Sequence, residues 1–508
     1  MKESEHRPMK GGGILRRGRT IAAMFLSLVV CLVSCTPSTY YVAPNFKTQD
    51  GVAIPREGAS YDILFTFLPD ENAIPSPFKY RMALGSEPGE EMTWDGGVGR
   101  MLSFTVPENT TPEERTVRVE VSVGDGQGNY GKWNTIFSGT QQGRAHADIP
   151  SISALDALSD MKVGWNLGNT LDASGEWIGL YTEGKPSDYE TAWGQAVTTR
   201  ALIHAFAEAG FGVIRVPVTW AEHLSSDGKV EEAWMARVRE VVDYVMDEGL
   251  YCILNVHHDT GTEGWLRADM DNYQAIATKF SALWTQIAEE FRDYPHRLLF
   301  EGFNEILDEK GTWNAPSTGE RGYEAVNRLN QVFVSTVRST GGNNSDRNLV
   351  LCTYAAAYGK EVISAFAVPE DTAQGHLIAE VHSYAPFEFA FDLSQDTGWW
   401  AGKDKKVFDS AARATVVGDV NSIGSAFKEK GIPVIIGEYG AANKNNIDER
   451  CLQADCYVRT GAANSIVCIH WMGLVDGKDR APDEAGKINW TEPKLRDAII
   501  SAARETWK

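Results

Sequence analysis

Positive charge is scarce in this chain. Its 508 residues carry 48 Lys and Arg against 69 Asp and Glu, a formal net charge of −21. Phosphate backbones are bound by basic patches, so nucleic acid is disfavoured as a partner. Acidity suits a neutral substrate without selecting one by itself. Cysteine is scarce too, at 7 residues, and no Cys–His spacing suggests a zinc site. Cys252, Cys352 and Cys468 lie in apolar strand-like runs and read as buried thiols. Cys451 and Cys456 are open to pairing in an exported protein, but on one continuous helix their spacing holds them too far apart to bridge. No Gly-x-Ser-x-Gly elbow precedes a helix, which argues against a Ser-His-Asp hydrolase. Low-complexity tracts are missing. The apolar run Ile21 to Val33 is too short and too one-sided for a spanning helix.

That run has another use. Lys2, Lys10, Arg16, Arg17 and Arg19 precede it, giving the charged and apolar regions of a signal peptide. It ends in Leu32-Val33-Ser34-Cys35, which resembles the bacterial lipobox, with Cys35 as the lipidated first residue of the mature chain. Loss of residues 1–34 removes six basic and two acidic side chains and takes the net charge from −21 to −25. The expected location is an exported lipoprotein, anchored through its N-terminal lipid to the outer membrane or cell surface of a Gram-negative bacterium. A periplasm-facing anchor is the other possibility.

The remaining length calls for two domains, and 43% hydrophobic residues with 15 tryptophans support a large core. The boundaries read as a leader at 1–34, a tether at 35–49, an all-β sandwich at 50–145 and a larger domain at 150–508. In the sandwich, Thr116 to Val123 and Leu102 to Val106 alternate polar and apolar residues, the period of half-buried antiparallel strands. Trp94 and Trp133 read as core residues or as a sugar platform.

After the 144–150 stretch the rhythm changes to short apolar runs alternating with longer amphipathic ones. Strands are predicted at Lys162–Leu167, Gly212–Val216, Tyr251–Val256, Leu298–Phe303, Leu349–Thr353, Leu377–Val381, Val434–Gly437 and Ile466–Trp471. Helical segments between them include Thr198–Ala209, Glu232–Glu248, Asp271–Phe291 and Tyr323–Ser339. Repeated β-then-α units predict an α/β fold, a (β/α)8 TIM barrel.

Two of these runs close on glutamates: Phe300-Glu301-Gly302-Phe303-Asn304-Glu305 and Ile435-Ile436-Gly437-Glu438-Tyr439. A carboxylate at the C-terminal end of a barrel strand sits where barrel enzymes place their chemistry. Two facing carboxylates suit glycoside hydrolysis, as one protonates the leaving oxygen while the other attacks or activates water. In such a pair the protonated carboxyl is favoured by burial and by its partner's charge, and the ionised one needs cationic company, which Arg215 can supply. Tyr384 can donate its hydroxyl to Glu438, His382 faces the same way, and Asn304 can bond a sugar 2-hydroxyl. His257-His258-Asp259 looks like a metal site, yet adjacent strand residues point to opposite faces and chelate poorly. Neither metal nor cofactor is expected. Trp265, Trp399 and Trp400 fall in loops after the third and sixth strands, where they extend a cleft or pack the loops.

Six segments in order carry a resemblance. They are Gly164-Trp165-Asn166-Leu167-Gly168-Asn169-Thr170-Leu171-Asp172, Ile214-Arg215-Val216-Pro217-Val218, Asn255-Val256-His257-His258, Phe303-Asn304-Glu305, Val381-His382-Ser383-Tyr384 and Ile436-Gly437-Glu438-Tyr439-Gly440. From about Ser153 onward the chain resembles glycoside hydrolase family 5, and within it subfamily 4. The resemblance implies Glu305 as acid/base and Glu438 as nucleophile. It also implies Asn166, Arg215, His257, His258, Asn304, His382, Tyr384 and Trp471 at the substrate, with Trp471 stacking under the reacting sugar. Subfamily 4 usually follows that tryptophan with Asp-Asn-Gly, whereas here Met472-Gly473-Leu474 follows it. Phe104 to Thr111 and Gln141-Gln142-Gly143 resemble the BACON domain of surface lipoproteins.

The implied function is a monomeric, retaining endo-β-1,4-glucanase (a cellulase) acting on a β-linked polysaccharide. Xyloglucan, mixed-linkage glucan, xylan or mannan are alternative substrates. A non-catalytic glycan-binding lipoprotein is the alternative of another class.

Overall fold

The computed structural model describes residues 40–507, apart from 57, 68–72, 95–99, 108, 110–113, 142 and 144–150. The expected leader, Cys35 and the 144–150 connection therefore lie outside the described residues. The chain divides into two compact units, Met1–Gly143 and Arg144–Lys508.

In the first unit, Arg115–Val123 pairs antiparallel with both Phe78–Leu84 and Asn134–Gln141. Met101–Val106 pairs antiparallel with Ala59–Thr66 in a second sheet. The alternation turns Val117, Val119 and Val121 of one sheet and Leu102, Phe104 and Val106 of the other into one buried core, a sandwich. Two details depart from the sequence reading. Gln49–Ile54 runs parallel to Asn134–Gln141. These strands stand at opposite ends of the unit's sequence, and a parallel pair needs such a long crossover. Strands also begin at Tyr40–Val42 and Asn45–Phe46, inside the stretch read as a tether. Trp94 is half-buried and packs against this core, stacked on Phe78 at 5.0 Å. Trp133 lies outside that core, with the Arg81 guanidinium 4.2 Å from its ring centre.

The second unit is a closed barrel of eight parallel strands. They are β1 Val163–Asn166, β2 Val213–Val216, β3 Tyr251–Asn255, β4 Leu298–Glu301, β5 Leu349–Cys352, β6 Leu377–His382, β7 Val434–Tyr439 and β8 Val467–Trp471. One face of each strand packs outward: Ile214, Leu254, Phe300, Leu351 and Ile436 join the helices in the larger core. The other face fills the lumen with Val213, Ile253, Leu299, Val350, Ile378, Ile435, Val467 and Ile469. The helix Ala154–Met161, which the sequence reading did not anticipate, closes the bottom of this lumen with Ala154, Ala157, Leu158 and Met161.

Two strand ends matter for the site. β4 stops at Glu301, so Asn304 and Glu305 lie on the loop beyond it. β7 continues through Glu438 to Tyr439, two residues past the predicted end, with register shifts against both neighbours.

Candidate active site

Moving two residues up each strand from the apolar lumen layer reaches the next inward position. There the barrel switches to a polar layer: Asn166, Arg215, Asn255, Glu301 and Glu380, all fully buried. Arg215 organises it. Its five N–H groups reach five acceptor contacts. Nε and Nη2 donate to Glu301 at 2.7 and 2.8 Å, Nη1 to Asn166 and Glu438 at 2.9 Å each, and Nη2 to Asn304 at 2.9 Å. Burial opposes the guanidinium charge, but Glu301, Glu380 and Glu438 outweigh it and hold its pKa well above the usual range. Asn166 in turn donates to the Gly437 carbonyl at 2.8 Å, joining β1 to β7.

Above this layer the two expected carboxylates meet. An oxygen of Glu305, a nitrogen of His382 and an oxygen of Glu438 lie within 4.8 Å of one another. Glu438 Oε1 accepts from Arg215, and Oε2 accepts from the Tyr384 hydroxyl at 2.8 Å. Burial and the nearby Glu305 raise the Glu438 pKa, while His382 and Arg215 oppose that rise. Burial keeps the Tyr384 phenol protonated, and the adjacent carboxylates reinforce this, so it remains a donor. His382 Nδ1 lies 2.8 Å from Glu305 Oε1 and 3.5 Å from Glu438 Oε2. Glu305 keeps a quarter of its side chain exposed, whereas Glu438 keeps 7%.

The floor is built from the end of β8 and the segment just past β3. The His257 and Trp471 rings are parallel, 5.8 Å apart. Gly168 has no room for a side chain, since a Cβ there would sit 2.8 Å from the Trp471 ring. Asn255 Oδ1 accepts from the Val218 N–H, which turns its Nδ2 toward His257 Nδ1 at 3.0 Å. Burial holds the His257 pKa well below its usual value. The neutral ring therefore carries its proton on Nε2, where it can donate to a sugar hydroxyl. Asn304 gives its carbonyl oxygen to Arg215, which leaves its amide nitrogen as the end that can donate to a ligand.

Several expectations change. Asn166 and Arg215, implied at the substrate, are fully buried beneath it and spend their polar groups on other side chains and backbone, so they act by positioning. His257 and His258 lie beyond the end of β3 and do not diverge, since their rings are 4.5 Å apart. Asp259 turns away to Trp220 N–H and Trp265 Nε1 at 2.8 and 2.7 Å. Instead Asp172 joins the two histidines, with ligand atoms within 4.8 Å. The Nε2 proton on His257 makes that trio better suited to hydroxyls than to a metal. His258 Nε2 is 4.0 Å from Asp172, and its ring is 5.4 Å from Trp193. Cys451 and Cys456 share the helix Ile447–Ala463, and both are free thiols.

Glu301 and Glu380 were not singled out from sequence. The usable signal was a charged residue two places beyond an apolar lumen position. Burial and Glu380 raise the Glu301 pKa against Arg215. Burial also acts against Glu380, but Arg215 and His382 hold it low, down to about 2.

This constellation has counterparts. The cellulase (glycosyl hydrolase family 5) family matches residues 171–474. The chain belongs to glycoside hydrolase family 5. Endoglucanase A of Clostridium longisporum is 36% identical over 377 residues, covering 72% of this chain and 69% of that protein. Endoglucanase A of Ruminococcus albus is 38% identical over 369 residues, covering 70% and 94%. A family 5 enzyme from Prevotella bryantii B14 superposes with a TM-score of 0.63 at 39% identity, over 70% of this chain and 100% of that one. Family membership, the barrel and the paired carboxylates make this protein a glycoside hydrolase.

Proposed function

We propose that the protein is a retaining endo-β-1,4-glucanase. The observation that carries this reading is the close approach of Glu305 and Glu438, which have oxygens within 4.8 Å of one another. Retaining enzymes hold their carboxyls about 5–5.5 Å apart, inverting ones about 6.5–9.5 Å. Glu438, aligned by Arg215 and Tyr384, attacks the anomeric carbon while Glu305 gives its proton to the leaving oxygen. The glycosyl–Glu438 ester then breaks as the Glu305 carboxylate takes a proton from water. Negative charge thus moves from Glu438 to Glu305 and back, and His382 lies within reach of both. Two intact, well-supported carboxylates speak against a glycan-binding protein without activity.

The reading extends to subfamily 4. Solved broad-specificity endoglucanases labelled GH5-4 match at 36% identity. One relative was solved with cellotriose and another with a xyloglucan tetradecasaccharide. A third is a lichenase, so xyloglucan and mixed-linkage glucan belong beside cellulose among candidate substrates. We further propose that residues 1–34 are a lipoprotein leader, that Cys35 carries the anchor on an exported chain, and that the sandwich is a BACON-like spacer. These three rest on sequence pattern.

A fluoro-sugar inhibitor tests the chemistry: it should label Glu438, and NMR of the first product should show retained anomeric configuration. A label on another carboxylate, or an inverted product, would overturn the mechanism. Turnover of cello-oligosaccharides, xyloglucan, lichenan, xylan and mannan sorts the substrates.

A further inference from the structure

Two buried polar atoms face each other beneath the catalytic carboxylates. Glu380 Oε1 and His382 Nε2 are 3.4 Å apart, and neither has a hydrogen-bond partner elsewhere. Glu380 is fully buried. Its Oε2 accepts from the Cys352 thiol at 3.2 Å. Arg215 Nε stands 3.4 Å from Oε1 but donates to Glu301. A buried acceptor left without a donor is costly, and a proton on His382 Nε2 is the one placed to fill it.

The other ring nitrogen meets the acid, with Nδ1 2.8 Å from Glu305 Oε1. The protonation of the ring decides what that contact does. A neutral ring with its proton on Nε2 offers Nδ1 as an acceptor, and the Glu305 proton is then spent on the ring instead of the leaving oxygen. A neutral ring with its proton on Nδ1 turns a lone pair toward the Glu380 carboxylate. A ring protonated at both nitrogens satisfies Glu380 and donates to Glu305 Oε1. The Glu305 proton must then sit on Oε2, where it is free for the leaving group.

We propose that Glu380 is a positioning residue for the acid step: it holds the Nε2 proton of His382, keeps the ring protonated at both nitrogens, and so confines the Glu305 proton to Oε2. The groups around the ring favour this. Glu380 comes from β6, Glu305 from the loop after β4 and Glu438 from β7, and Arg215 on β2 and His257 past β3 oppose them. His257 is neutral, Arg215 is paired to Glu301 on β4, and Tyr384 and Cys352 are uncharged donors. Burial disfavours charge on His382, but Glu438, Glu305 and Glu380 outweigh it. Burial also acts against charge on Glu380, but Arg215 and His382 keep it ionised. The inference rests on the endoglucanase reading, with Glu305 as acid, and adds the residue that keeps its proton in place.

The test compares Glu380→Gln with the wild type on cellohexaose and on a dinitrophenyl β-cellobioside. Dinitrophenolate departs without a proton, so kcat/KM for that substrate, which reads the steps up to the glycosyl–Glu438 ester, does not need the acid. In the variant, the ratio of kcat/KM for the hexaose over that for the aryl substrate should fall roughly tenfold, part of the ~10²–10⁴ that general acid catalysis supplies. Loss of an anion lowers the pKa of the protons beside it, so the alkaline limb of the cellohexaose profile should move to lower pH. A ratio within about twofold of wild type, whether both rates hold or both drop together, or an unmoved alkaline limb, overturns the proposal. The wild type supplies a measurement that needs no variant. At its pH optimum both ring nitrogens of His382 should show the NMR shifts of an imidazolium, and an unprotonated nitrogen overturns the proposal. Failure of the endoglucanase reading looks different, because the wild type would then hydrolyse neither substrate, and the acid step would fall with it.

Discussion

Three carboxylates surround one imidazole at the centre of the site. His382 Nε2 faces Glu380 at 3.4 Å, and its Nδ1 faces Glu305 at 2.8 Å and Glu438 at 3.5 Å. Burial alone would discharge the ring, and Arg215 stands close by across Glu380, yet Glu438, Glu305 and Glu380 together push its pKa up to about 10. Glu380 occupies its place because residue 437 is glycine: a Cβ there would sit 1.5 Å from Glu380 Oε1. A folded-state pKa above the unfolded one adds stability that is fully present below about 6.5 and is lost as pH rises through the folded value. For His382 that window closes near 10. In Glu380→Gln the ring keeps Glu305 and Glu438 and loses its third anion. Its NMR titration should therefore move to lower pH, and alkaline unfolding should begin earlier. An unmoved titration would mean that the two catalytic-site carboxylates hold the charge unaided.

At the scale of elements, strands were easier to read than loops. Each barrel strand is an apolar run bounded by polar residues, and all eight predictions overlap the observed strands. Strand ends were harder, because the polar layer that closes the lumen is made of Asn, Arg and Glu, which resemble surface residues when read locally. Arg215 and Glu301 are 86 residues apart in sequence yet form a bidentate pair, and only barrel closure brings them together. The short motifs gave Glu305, Glu438 and Tyr384, whereas Glu380 carried only the weaker signal of a charge two places beyond the lumen residue Ile378. The loop after β8 turns on two successive residues with positive φ, Met472 at 47° and Gly473 at 69°. The loop after β6 depends on Lys444, which comes from a different connection. Lys444 donates to Asp404 and to the Glu388 and Lys405 carbonyls, and Lys444→Met removes that donor. Asp404 keeps the Leu393 N–H and the Glu388 carbonyl keeps the Lys405 N–H, so the cost is about 1–3 kcal/mol in all. Ala442, bonded to the Ala390 carbonyl, and Glu449, bonded to the Phe408 N–H, still hold the loop. Hydrogen exchange across residues 387–409 should speed up, while the barrel strands exchange as before. Unchanged protection in that segment would show that Ala442 and Glu449 suffice to hold it.

For the whole molecule, the barrel's own contacts say where it must begin. Asn348 bonds the Ile152 carbonyl at 3.0 Å, and Ala154 N–H bonds the Gly375 carbonyl at 2.8 Å. The helix Ala154–Met161 then fills the bottom of the lumen with four buried apolar side chains. Every residue assigned to the chemistry lies after it, and the first unit has its own core between its own sheets. A chain starting at Ser151 should therefore fold and keep its turnover on soluble glucan within about twofold, as separate cores add independently. Starting at Val163 instead removes the helix and uncovers Tyr251, Ile253 and Leu299 from below. Leu158 and Met161 at roughly 1.5–3 kcal/mol each, with the smaller Ala154 and Ala157, make up a large part of the ~5–15 kcal/mol that holds a domain together, so that chain should be strongly destabilised. In the full-length protein, Cys35→Ala should move the enzyme from the membrane fraction to the soluble one, or block its maturation, without changing kcat. A folded, well-behaved Ser151 chain with strongly reduced turnover would make the sandwich part of the cleft. An unlipidated wild-type N-terminal peptide by mass spectrometry would remove the anchor and leave the enzyme as it is described above.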